Sequence, residues 1–110
     1  MKNRKIGDKQ GRGFVVGLPY TLGNYVYIVK CGNYYKIGIT QRIASRMTDF
    51  RVNNPYDVEL IFYGNCDWYK SVEIKIHKLM SEFHHKGEWF LLGKEQVETV
   101  INIIRKNGAT

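Results

Sequence analysis

The sequence predicts an α+β fold: a small, mostly antiparallel three-stranded sheet flanked by helices, in the order β-β-α-β-α-(β)-α. Three observations lead there. Short runs at Tyr25–Lys30 and Tyr34–Ile39 alternate with the period of a strand. Apolar residues in the second half recur at the spacing of a helix face. The length, 110 residues with 44% hydrophobic content, suits one modest core that buries roughly two-thirds of the chain's surface.

The elements follow in order. Residues 1–23 form a basic, glycine-rich arm carrying Lys2, Arg4, Lys5, Lys9 and Arg12 against Asp8. Residues 1–12 read as mobile, 13–23 as a loose lead-in, and Phe14–Val16 as a short edge strand. The domain proper is expected over 24–106. Tyr25–Lys30 and Tyr34–Ile39 pair as a hairpin across Cys31-Gly32-Asn33, whose Gly and Asn tolerate the positive φ of a tight turn. Tyr25, Tyr27 and Val29 point to one face, Val26 and Ile28 to the other. Thr40 is expected to cap a helix over Gln41–Phe50, with Ile43, Met47 and Phe50 on one side, ended by Asn53-Asn54-Pro55. Val58–Tyr63 reads as a third strand closed by Gly64-Asn65. A second helix is predicted over Trp68–Phe83, with Tyr69, Val72, Ile76, Leu79, Met80 and Phe83 on its apolar arc. Gly87 leads into a short strand or turn at Glu88–Leu91. A last helix over Lys94–Lys106 presents Val97, Val100, Ile101 and Ile104, with Gly108 after it.

The formal charge of +7 and sequence pI near 9.5 fit a polyanionic partner. No apolar run reaches the length of a membrane span, and no signal-peptide core follows the basic start. The two cysteines, Cys31 and Cys66, have no metal-finger spacing, so a reduced, cytoplasmic setting is expected.

Five side chains stand out. Glu73 lies at the border of its helix's apolar arc and His77 one turn further along. A half-buried carboxylate there suits a metal ligand or a lysine partner. Arg46 sits at the edge of the first helix's apolar face, placed for a phosphate or for an ion pair with Asp49 or Asp67. Tyr27 is a core aromatic or a site residue. Lys36, within a strand, belongs to a solvent face or to a site. Arg42, Arg51 and Lys30 are expected to join Arg46 in contacting nucleic acid. Pro55-x-Asp57 with Glu73-x-Lys75 imitates a restriction-nuclease signature. That chemistry needs the Glu and Lys on one side of a strand, whereas a helix turns them about 200° apart. Zinc, from Cys31, Cys66, His77, His84 and His85, lacks any supporting ligand pair beyond the i, i+4 spacing of Glu73 and His77.

Taken together, the chain resembles the GIY-YIG nuclease superfamily, in its small phage and bacterial branch. Tyr25-Val26-Tyr27 stands at the first triplet, Lys36-Ile37-Gly38 after Tyr35 at the second, then Arg46, then Glu73 with His77, then Gly87-Glu88-Trp89-Phe90. The resemblance implies metal-dependent endonuclease action on DNA. It implies Mg²⁺ or Mn²⁺ held by Glu73, and Arg46 neutralising charge on phosphorus. Tyr27 would accept or relay the proton of the attacking water, made more acidic by Lys36 and the metal, with His77 completing the site. The alternative is a DNA-binding module on the same fold without cleavage. A free-standing unit would be weakly specific, a homodimer, or guided by a partner protein.

Overall fold

The structure, a computed structural model, describes residues 17–108. The basic arm at 1–12 and the Phe14–Val16 strand lie outside the described residues. Strand β1 (Tyr25–Cys31) and β2 (Tyr34–Thr40) form the expected hairpin, with Cys31 opposite Tyr34 and Gly32 at φ 61° in the turn. Helix α1 (Ile43–Asn53) follows, then β3 (Glu59–Asn65), helix α2 (Tyr69–Leu79) and a 3₁₀ turn at Ser81–Phe83. Strands β4 (His84–Lys86) and β5 (Trp89–Leu91) precede helix α3 (Lys94–Asn107). The fold is α+β with one antiparallel sheet in the order β3-β1-β2-β5-β4.

That sheet has five strands rather than the expected three. His84-His85-Lys86 has no apolar alternation, but it folds back on β5 through a turn in which Gly87 takes φ 57°. The third strand also runs on through Gly64 and Asn65, because both residues pair with β1. Thr40 does not cap α1. Its hydroxyl accepts the N–H of Arg42 at 3.1 Å in a local turn, and the helix starts at Ile43, two residues later than expected. The second helix ends at Leu79, and Leu79 itself is exposed instead of joining the apolar arc.

Each face of the sheet has its own core. Tyr25, Tyr27 and Val29 pack against Ile43, Ala44, Met47 and Phe50 of α1, together with Val58, Leu60 and Leu18. Val26, Ile28 and Ile37 pack on the opposite side with α2 and α3, through Val72, Ile76, Val100 and Ile104. The two-residue alternation of β1 therefore divides the molecule into two apolar layers. Gln96 Oε1 accepts the N–H of Gly93 at 2.9 Å, which anchors the start of α3.

Candidate active site

The site forms where β2 loses its neighbour. Strand β5 pairs only with Tyr34–Lys36, so from Ile37 onward that edge of β2 is free of strand pairing. Both backbone groups of Ile37 are satisfied by other means. Its N–H donates to the carbonyl of Glu88 at 3.2 Å. Its carbonyl lies 2.9 Å from His77 Nε2. A carbonyl only accepts, so Nε2 carries the proton, and His77 docks α2 onto the strand edge. These contacts bring α2 and the β4–β5 turn together beside Gly38.

Gly38 is the cross-strand partner of Tyr27. A Cβ at position 38 would lie 2.6 Å from the Tyr27 hydroxyl and 3.3 Å from Glu88 Oε1. Glycine thus leaves a recess into which a phenol and a carboxylate converge. Arg46 Nη1 donates to the Tyr27 hydroxyl at 3.3 Å from the α1 side. Lys36 Nζ pairs with Glu88 Oε1 at 3.0 Å. On α2, Glu73 Oε2 is buried without a hydrogen-bond partner and lies 3.9 Å from His77 Nε2.

The electrostatics follow from this crowding. Burial pushes the Glu73 carboxyl above the usual carboxylate range, and the charge of Glu88 pushes it further; His77 and Lys36 oppose both. Burial likewise raises the Tyr27 phenol, against the pull of Arg46, its charge and its hydrogen bond. The expectation that Lys36 would make Tyr27 more acidic is therefore corrected. The ring is fully buried, and the lysine is engaged with Glu88.

Among the residues singled out from sequence, Arg46 meets Tyr27 at Gly38, His77 lies 3.9 Å from Glu73, and Lys36 is joined to the same place through Glu88. Arg42 lies one turn before Arg46 and is exposed. Arg51 is also exposed, but sits about 140° round the helix from Arg46. Lys30 is not brought to the site. It lies on the α2–α3 face of the sheet, with Nζ 5.8 Å from the Tyr35 ring centre. Glu88 was missed as a site residue, although it pairs with Lys36 and perturbs Glu73. Its side chain is 43% exposed and directly follows Gly87, the turn residue at φ 57°.

Among the described residues, no three His, Cys, Asp or Glu groups gather to hold an ion. Zinc from the five Cys and His candidates is excluded by placement as well, since Cys31 and Cys66 belong to opposite faces of the sheet. The orphaned Oε2 of Glu73 fits a different demand. A hard cation such as Mg²⁺ uses one or two carboxylates and completes its shell with water and substrate phosphate.

With this geometry in place, comparison with known families is decisive for kinship. The model of the T5orf172 domain matches residues 24–105. The chain belongs to the T5orf172 domain family. That match corrects the GIY-YIG assignment made from the sequence motifs: the family whose model these residues fit is the T5orf172 domain. At the coarse level, T5orf172 membership gives the domain a nucleic-acid-related function. Neither the curated proteins nor the solved structures contain a match to this chain. Among the described residues, no helix of this T5orf172 domain is long and apolar enough to cross a membrane.

Proposed function

We propose that this T5orf172 domain is an endonuclease that hydrolyses DNA phosphodiester bonds with the help of one divalent cation. The observation that carries the proposal is the partnerless, buried Glu73 Oε2 in the field of Lys36 and His77, near a Tyr27 hydroxyl that holds Arg46. A buried acceptor without a donor costs about 1–3 kcal/mol, more when charged. A recess that keeps such an atom in the field of an ammonium, with a guanidinium held on the neighbouring phenol, is suited to a cation and a phosphate together.

Glu73 would hold the ion, Mg²⁺ or Mn²⁺. When bound, the ion supplies Lewis-acid polarisation of the phosphoryl group and charge relief for the leaving 3′ oxygen. Arg46 receives the non-bridging oxygens and offsets the charge that builds there. The Tyr27 oxygen accepts from Arg46, which leaves its own O–H free to donate. Because burial keeps the phenol protonated at neutral pH, Tyr27 acts as a relay: it takes a proton from the attacking water and passes its own to solvent, from which the leaving 3′ oxygen is protonated. As water bonds to phosphorus, the bond to the 3′ oxygen breaks and that oxygen regains a proton. His77 is a positioning residue: it fixes α2, and so Glu73, against Ile37. Lys36 balances the carboxylates.

The second reading is a DNA-binding module without cleavage. The burial of Tyr27 favours it, because a sealed phenol meets no water until the site rearranges. Supercoiled plasmid incubated with Mg²⁺, Mn²⁺ or EDTA separates the two. Metal-dependent nicking or linearisation, abolished by Glu73→Ala with DNA binding retained, is the expected result. Undiminished cleavage by Glu73→Ala rejects the assignment of the ion, and salt-sensitive binding in EDTA without any cleavage favours the module.

A further inference from the structure

Helix α1 covers only part of its face of the sheet. The core beneath it draws on β1, on Leu60 of β3 and on Val58. The side chains of Tyr34 and Lys36, which share this face with Gly38, lie beside it. Trp89 and Leu91 of β5 extend the same surface, since Lys36 faces Trp89 and Tyr34 faces Leu91 across the strands. A row thus leads away from the recess: Gly38, then Lys36, then Tyr34. Strand geometry makes that row about 13 Å long.

At its far end is a space of about 250 Å³ lined by Cys31, Tyr34, His85, Lys86 and Trp89. Its walls are rings, and two of them already lie against each other. Tyr34 and His85 have centroids 4.5 Å apart with their planes tilted by 32°. Lys36 Nζ approaches the Trp89 ring at 5.8 Å, which joins the space to the recess. Residues His84–Lys86 are exposed throughout, and Leu91 is 52% exposed. The exposed rings of Tyr34 and His85 and the half-buried ring of Trp89 offer an apolar flat surface between Lys36, which is paired with Glu88, and the exposed Lys86.

We infer that this space seats one unpaired nucleobase of the DNA strand whose phosphate lies at Gly38. This rests on the reading of the recess as a phosphate site. A polyanion is the occupant that suits Lys36, Lys86 and the chain's net charge of +7. Aromatic side chains hold single strands because every base has a face on which to stack. A base stacked and paired within a duplex has both faces covered by its neighbours, so the occupant is unstacked. The substrate class is therefore DNA with a single-stranded or opened segment next to the phosphate bound in the recess.

The test uses the whole chain in EDTA, so that binding is read without cleavage. Fluorescein-labelled single-stranded DNA and its matched duplex are titrated by anisotropy against the native protein, Tyr34→Ala, Tyr34→Phe and His85→Ala. Both positions are exposed, and thermal melts identify any misfolded variant. Tyr34→Ala is expected to weaken single-strand binding about tenfold, the scale of one lost stacking contact. Duplex affinity should change less than about twofold, and Tyr34→Phe should restore single-strand binding. A 2-aminopurine scanned along the strand should change its emission at one position in the native protein, and not in Tyr34→Ala. Equal losses for both DNA forms, or an unchanged single-strand affinity, overturn the inference. Because nothing here depends on cleavage, a strand effect without nicking would reject the nuclease reading alone.

Discussion

The Tyr27 hydroxyl occupies the volume that a side chain at Gly38 would need, 2.6 Å from where its Cβ would stand. The demand is spatial: the described glycines with positive φ are Gly17, Gly32 and Gly87, not Gly38. Nor can the phenol withdraw easily, since its ring is fully buried and meets Phe50 edge-on at 5.8 Å. Gly38→Ala should therefore cost about 1–3 kcal/mol, the usual scale of overpacking. A urea melt would show the lowered midpoint. An unchanged midpoint would mean that Tyr27 has room to move, and that the recess is not shaped by this pair.

Tyr27→Phe separates the ring from its hydroxyl. Packing on Phe50 survives, while Arg46 Nη1 loses the oxygen to which it donates. The expected loss of stability is about 0.5–1.5 kcal/mol, that of one ordinary hydrogen bond. Cleavage should fall by about 10²-fold or more if the hydroxyl relays the proton, while DNA affinity is held. Single-turnover rates on plasmid would decide it: a native rate in Tyr27→Phe would leave the residue a packing role only.

Much of this recess was legible because β1 obeys its alternation strictly. Tyr27 and Val26 belong to opposite cores for no reason beyond the two-residue period. The border position of Glu73 was equally visible from helical geometry, and its side chain is 16% exposed. Glu88 was not, because it arrives through a hairpin built from His84-His85-Lys86, a segment with the composition of a loop. Pairing with β5 overrides that local preference. Lys30 failed for the opposite reason. A basic residue three positions after Tyr27, an odd offset in a strand, points to the other side of the sheet, where it meets Tyr35.

Lys36→Met tests whether the lysine serves folding or the phosphate. Its pair with Glu88 is partly exposed on both sides, at 21% and 43%. Such a pair contributes no more than about 1 kcal/mol, so the melting temperature should barely move. DNA affinity should drop, and the slope of its logarithm against that of salt concentration should shrink by about one. Anisotropy titrations across a salt series would measure that slope. An unaltered slope would confine Lys36 to balancing Glu88.

Glu73 ties stability, pH and metal together. Burial, then the charge of Glu88, raise its folded pKa above the ordinary carboxylate value. Between the unfolded and folded values the native state therefore holds more protons, so stability falls as pH rises through that window. Above the raised value the loss is complete. Glu73→Gln escapes it and should melt at a higher temperature than the native chain near neutral pH, with the gap narrowing on acidification. A divalent cation favours the ionised form. Mg²⁺ should then raise the native melting temperature, as expected for any ligand of the folded state alone. It should leave Glu73→Gln unmoved and lose its effect as protons reclaim the carboxylate. Paired melts across pH, with and without MgCl₂, would measure all three effects. Equal Mg²⁺ shifts in both proteins would place the ion away from Glu73, and with it the chemistry proposed for the recess.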